Sequence, residues 1–150
     1  MTSPLASTMQ DVPITVRTIF EHGRDVHGSS QVIAHRRGGR ETTTFAELAA
    51  ESDAVAVGLA ALGVEAGDRV ATLLWNQPEH LATYFAVTCM GAVVHPLNPR
   101  LTREELIGIM NVAEDRVLVV DESLLDLVGD GLREVRSLRH IVVVGAERPG

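Results

Sequence analysis

The sequence predicts an α/β fold: an N-terminal β-hairpin and helix, then a mostly parallel sheet with helices on both faces, in the order βαβαβαβ. Two observations carry this. Four short, nearly continuous apolar runs begin near residues 69, 92, 116 and 140, and helical spacing separates each from the next. Runs such as Val117-Leu118-Val119-Val120 and Ile141-Val142-Val143-Val144 do not alternate with polar residues, as strands covered on both faces do not. The composition agrees: 150 residues, 45% hydrophobic and 22% charged, is the size and balance of one globular domain rather than a disordered chain.

Taken in order, residues 1–13 read as a flexible tail without a basic or apolar segment. Residues 14–22 carry Ile14, Val16, Ile19 and Phe20 and predict a short helix, with a polar turn over 23–30. Residues 31–36 and 40–44 flank Gly38-Gly39 and predict a hairpin, because both turn glycines accept positive φ. Residues 45–62 place Phe45, Leu48, Ser52, Val55, Leu59 and Leu62 on one helical face. Thr44 with Glu47 gives that helix a capping box, and Gly63 a stop. The rhythm continues with a strand over 69–75, a helix over 77–90 capped by Asn76 with Glu79, and a strand over 92–97. A helix over 103–113 follows, with Thr102 and Glu105 as a capping box and Leu101 and Leu106 as a staple. A strand over 116–120, a helix over 122–137 and a strand over 140–144 complete the set.

Charge and composition exclude several functions. With 20 acidic and 13 basic residues the net charge is -7, which disfavours nucleic acid. All the basic residues are arginine, so chemistry that needs a lysine amine is absent from these residues. The apolar stretch over 81–94 is shorter than the ~18 residues of a membrane span, and the protein is expected in the cytoplasm. The single cysteine, Cys89, lies in an apolar helix and reads as a packed side chain. Neither G-x-G-x-x-G, G-x-x-x-x-G-K nor G-x-S-x-G occurs. The six histidines show no metal-ligand spacing. Asp121 ends a strand and reads as a helix cap.

Ligands of parallel sheets approach the C-terminal strand ends. Trp75, Asn76, His95 and Asn98 sit there and are the candidate pocket-edge residues. Each also has a structural reading: Asn76 as a cap, Asn98-Pro99 as a turn, His95 as a packed histidine.

The segment from Gly67-Asp68-Arg69-Val70 through Leu74-Trp75-Asn76, Tyr84-Phe85-Ala86-Val87 and Gly91-Ala92-Val93-Val94-His95 is distinctive in combination. So are Leu97-Asn98-Pro99-Arg100-Leu101, Ala113-Glu114-Asp115-Arg116-Val117 and Thr43-Thr44-Phe45-Ala46-Glu47-Leu48. Together they resemble the N-terminal part of AMP-forming acyl-CoA synthetases, most closely the medium- and long-chain fatty acyl-CoA synthetases. The resemblance implies a two-step reaction in the whole protein. Fatty acid and ATP, with magnesium, give an acyl-adenylate and pyrophosphate; coenzyme A then takes the acyl group and releases AMP. It also implies that residues 14–150 are an N-terminal subdomain that stops before the Ser/Thr/Gly-rich phosphate loop. The family's adenine and ribose motifs and its adenylation lysine lie further downstream. No catalytic, cofactor-binding or metal-binding residue is therefore carried over, and the chain is expected to be inactive alone. Fatty acid, ATP and coenzyme A would be reached only through the remainder, and a homodimer is a further expectation. The alternatives are a non-catalytic α/β interaction module and a small-ligand binder that uses the Trp75–His95 edge.

Overall fold

A computed structural model describes residues 13–36 and 39–145. The expected tail, apart from Pro13, and the Gly38 half of the hairpin turn lie outside the described residues. Helix α1 (Val16–His27) precedes an antiparallel hairpin of β1 (Gln31–Arg36) and β2 (Gly39–Thr44). Helix α2 (Phe45–Ala61) leads into β3 (Arg69–Leu73), α3 (Pro78–Cys89), β4 (Val93–Pro96), α4 (Arg103–Ala113), β5 (Val117–Asp121), α5 (Leu125–Val128) and β6 (His140–Val144). The last four strands form one parallel sheet in the order β4-β3-β5-β6.

The sheet has a core on each face, as apolar strands without alternation require. On one face Leu73, Leu118 and Val120 pack with Leu106 and Met110 of α4 and with Leu124 and Val128. On the other, Val70, Val117 and Val119 pack with Leu59 of α2 and Val87 of α3. Leu73 and Leu118 are fully buried, and burying a side chain of this size contributes about 1.5–3 kcal/mol.

Local signals set the helix ends. Thr44 and Thr102 each accept a hydrogen bond from the backbone N–H three residues on. Glu47 and Glu105 reach back to the capping backbone and complete both predicted capping boxes. Leu101 packs on the core cluster that contains Leu106. After α2, Gly63 takes φ 79°, and the N–H groups of Gly63 and Val64 bond the carbonyls of Ala60 and Leu59. After α3, Gly91 takes φ 81° and repeats the pattern with Thr88 and Val87. These are Schellman turns, which need a left-handed residue just beyond the helix. After α4 the same turn is made by Glu114, the one described non-glycine residue with positive φ (55°). Arg69 compensates: its Nε donates to the Ala113 carbonyl (2.7 Å) and its Nη2 to the Glu114 carbonyl (3.1 Å).

Three expectations need correction. The first helix does not stop at residue 22; α1 runs on to His27, so residues 23–27, Gly23 and His27 among them, are helical rather than in a turn. Gly23 is there because Phe45 lies against it: a Cβ at this position would stand 2.8 Å from Phe45 Cε1. Phe45, Phe20 and Phe85 form one aromatic cluster joining α1, α2 and α3. Residues 122–137 are not one helix. A 3-10 turn (Glu122–Leu124), the single turn α5 and a second 3-10 stretch (Gly129–Glu134) replace it. Gly129 (φ 43°, ψ -135°) breaks the helical path, and Arg103 donates to the exposed carbonyls of Asp126 and Leu127. Finally, the N-cap of α3 is Gln77 rather than Asn76, and no side chain caps it. Pro78 at its first position has no N–H to satisfy, which lessens the need for a cap.

Candidate functional site

The structure separates the candidate pocket-edge residues into three places. Trp75 and Asn76 form the turn that leaves the C-terminal end of β3. Trp75 is 45% exposed, and its indole N–H donates to Ser123 Oγ at 3.0 Å. The Ser123 hydroxyl donates to Asp121 Oδ1 (2.6 Å), which also accepts the Ser123 backbone N–H (2.9 Å). The Asp121 side chain thus caps the turn after β5, as the sequence suggested, and holds Trp75 through Ser123. His35, Arg36, Asn76 and Gln77 complete the lining of this groove.

Arg36 lies at the end of β1 and ties the hairpin to the same turn. Its guanidinium donates to Glu41, to Gln77 Oε1 (2.6 Å) and to Glu79 Oε1 (2.5 Å). The other Glu79 oxygen is buried and has no hydrogen-bond partner among the described residues. Burial, together with the nearby carboxylates of Glu79 and Glu41, raises the Glu51 carboxyl above its ordinary range.

His80, in the first turn of α3, holds the turn from below. Its Nδ1–H donates to the Trp75 carbonyl (3.2 Å), and Nε2 then accepts from the buried Thr72 hydroxyl (3.0 Å). Burial lowers the His80 pKa, against the opposing hydrogen bond to Trp75. A carbonyl can only accept, so this tautomer follows from the geometry. A second, more apolar groove of about 380 Å³ opens beside it, lined by Ile33, Asn76, His80, Leu81 and Tyr84 among others.

His95 belongs to neither groove. It lies on β4 in register with Ala71, and its Nδ1 is 2.8 Å from Asp115 Oδ2 and 3.0 Å from Oδ1. The side chain of Asp115 is fully buried, and burial pushes its carboxyl above the usual range, while His95 and Arg69 pull it down. His95 supplies the only hydrogen bonds that carboxylate receives among the described residues. Asn98 stands apart again: its Oδ1 accepts the Arg100 N–H (3.0 Å), closing the Asn98-Pro99 turn.

Two groups important here were not singled out from sequence. Asp115 pairs with a residue 20 positions away, and Arg36 with partners 41 and 43 positions away. Neither spacing is a local signal. The one hint was a charged pair, Asp115-Arg116, directly ahead of an apolar strand.

The groups around the β3 and β5 strand ends do not suit a triphosphate. Arg36 is taken up by three acceptors, and the Asp121 carboxylate faces the same groove. A phosphate cradle needs free N–H donors and unpaired positive charge.

Comparison with known proteins places the chain. Residues 20–149 match the family model described as AMP-binding enzyme. The long-chain-fatty-acid–CoA ligase of Thermus thermophilus is 41% identical over 144 residues, covering 95% of this chain and 27% of that protein. The medium-chain-fatty-acid–CoA ligase of Ectopseudomonas oleovorans is 31% identical over 118 residues, covering 78% of this chain and 22% of that protein. The chain thus spans about a quarter of the length of the curated relatives it matches. Among solved structures, the anthranilate CoA ligase AuaEII, in complex with anthranoyl-AMP, superposes with a TM-score of 0.82 at 26% identity. That match covers 90% of this chain and 26% of the other. The long-chain-fatty-acid-CoA ligase FadD1 of Archaeoglobus fulgidus shares the fold (TM-score 0.81, 24% identity, 89% of this chain and 28% of that one). With the family model matched across nearly the whole described fold, this chain belongs to the AMP-binding enzyme family.

Proposed function

We propose that this chain is the N-terminal part of an ATP-dependent fatty acyl-CoA ligase, which converts fatty acid, ATP and coenzyme A to acyl-CoA, AMP and pyrophosphate. In this reading residues 14–150 are the scaffold subdomain of a cytoplasmic enzyme, ending ahead of its phosphate loop. The observation that carries it is the 41% identity to a long-chain-fatty-acid–CoA ligase over 144 residues, which are only 27% of that ligase. ATP, magnesium and coenzyme A enter with the remainder. Adenylyl transfer needs cationic and N–H stabilisation of the phosphate; these residues contain no lysine, and the described ones no assembled phosphate cradle. In this reading Trp75 and Asn76, which line a groove at the C-terminal end of β3, border the ligand side.

ATP–pyrophosphate exchange, measured with fatty acids from hexanoate to stearate, tests the scaffold reading. The 150-residue chain should show none, and measurable exchange would overturn it. Immunoblotting source cells with an antibody against this chain tests the rest. A band roughly three to four times heavier is expected, since the aligned residues are about a quarter of the relatives. A band at the size of the chain itself would sink the ligase reading.

One observation favours a second reading, an α/β module that pairs with another copy of itself. Strand β6 is an edge of the sheet and exposes Ile141 and Val143. Open apolar edges of this kind invite strand pairing.

A further inference from the structure

We propose that the groove between β4 and α4 is a binding site for an alkyl chain with a neutral hydroxyl head, and that His95 Nε2 accepts that hydroxyl's hydrogen bond. The proposal goes beyond the scaffold reading and does not depend on it.

The groove has a volume of about 460 Å³ and is lined by His95, Leu101, Glu105, Gly108, Ile109 and Val112, together with Ala113. Its wall is apolar: Val112 and Ile109 are exposed on the outer side of α4. Gly108 adds no side chain between them, and a Cβ there would meet nothing within 4 Å.

His95 is the polar handle. Its Nδ1 is committed to the buried carboxylate of Asp115, which can only accept, so Nδ1 carries the proton of the neutral ring. Nε2 therefore presents a lone pair, and it has no partner among the described residues. A buried carboxylate that fixes the ring and its tautomer in this way leaves the far nitrogen free for a hydrogen-bond donor.

Charge selects the head group. Asp115 lies behind the ring and Glu105 on the rim, so an anionic head would add a third negative group to the site. Glu105 Oε2 accepts the Thr102 backbone N–H and hydroxyl, which holds this carboxylate at the rim as a fixed negative charge. A neutral hydroxyl on an apolar chain meets both requirements: one donor for Nε2 and aliphatic surface for Ile109 and Val112.

The test is a titration of the 150-residue chain with hexanol, followed by the nitrogen resonances of the His95 ring. A saturable change at Nε2 is expected. Hexyl methyl ether has the same body without the donor, and hexanoate at neutral pH has an anionic head. Each should bind about tenfold more weakly or worse, the usual worth of one hydrogen bond. Gly108→Leu fills the groove where the backbone has room for a side chain, and should abolish the change while the rest of the spectrum keeps its dispersion. Equal binding of the ether, tighter binding of hexanoate, or an undiminished response in G108L would each overturn the proposal, as would no saturable change with hexanol.

Discussion

The two edges of the parallel sheet are finished in different ways. At β4 the chain closes its own edge. The Val93 and Leu97 N–H groups turn inward to the carbonyls of Asp68 and Thr72, both at 2.8 Å. Pro96 has no N–H to offer a further strand. His95 is fastened across β3 to the buried Asp115. At β6 the Arg139 N–H turns inward in the same way, to the Arg116 carbonyl (2.8 Å), but among the described residues the strand has no proline and no side chain fastened to a buried carboxylate. Val142 and Val144 pack against the core that holds Leu59 and Val87, but Ile141 (46% exposed) and Val143 (38%) do not reach cover. The broken helical segment between β5 and β6 covers Leu118 and leaves these two in the open. One edge is held by specific side-chain chemistry and the other is left as generic pairing surface. Substitutions at the first should change stability, and substitutions at the second should change association.

The largest effect is expected at His95. His95→Ala leaves the Asp115 carboxylate buried with no side-chain donor. Leaving a buried carboxylate without its hydrogen-bond donor costs about 1–3 kcal/mol and more for a charged group, so a loss of roughly 2–4 kcal/mol is expected. Urea unfolding of the two chains measures it. A loss below about 1 kcal/mol would show that the β4 edge is not held this way.

Acid titration sharpens the same point through its sign. Burial raises the Asp115 carboxyl above its unfolded value, so the folded state holds that proton to higher pH than the unfolded state does. Its contribution is fully present below the ordinary aspartate range and is lost as pH rises through the raised value. Asp68 behaves oppositely. The Glu65 backbone N–H and Arg116 lower its carboxyl, so its contribution is present at neutral pH and lost as pH falls. Asp115→Asn should therefore make stability rise more steeply from about pH 4 upward, because the opposing slope is gone. An unchanged or shallower profile would contradict the burial assignment.

A smaller gain is expected just before Asp115. Glu114 holds the left-handed position that glycine fills after α2 and α3. Glu114→Gly relieves that strain and should stabilise by about 0.5–1 kcal/mol. Its side-chain contact with Arg69 is exposed and contributes little. Thermal unfolding should show a rise of a few degrees at most, and a fall would mean that the Arg69 contact outweighs the strain.

What was legible in the sequence follows the range of the forces involved. Strands and capping boxes depend on neighbours within a turn or two, so β3 to β6, Thr44 with Glu47 and Thr102 with Glu105 stood where spacing placed them. The failures came from residues whose local meaning is overruled at a distance. Gly23 reads as a helix breaker until Phe45 is packed on it. The apolar spacing over 122–137 reads as one helix, but Gly129 leaves the helical path and Asn111 draws the Glu134 carbonyl and the Arg136 N–H to α4. At the site, Trp75 and Asn76 were visible because a strand end is a local feature. The separation of His95 from them was not, because it depends on which strand β4 joins and on a carboxylate that arrives from the far side of α4.

The last prediction concerns the open edge. Ile141→Lys with Val143→Lys places two charges on the exposed side of β6, at residues that belong to neither core cluster. The change in stability should stay within about 0.5 kcal/mol, the usual range for surface positions. If β6 pairs with a second copy, sedimentation velocity of the original chain should show a dimer that the doubly charged variant lacks. Lysines on an edge strand oppose such pairing by repulsion and by the cost of desolvating them. A dimer that survives both substitutions would move the interface away from β6. A chain that is monomeric from the start would remove the self-pairing reading and leave the scaffold reading alone.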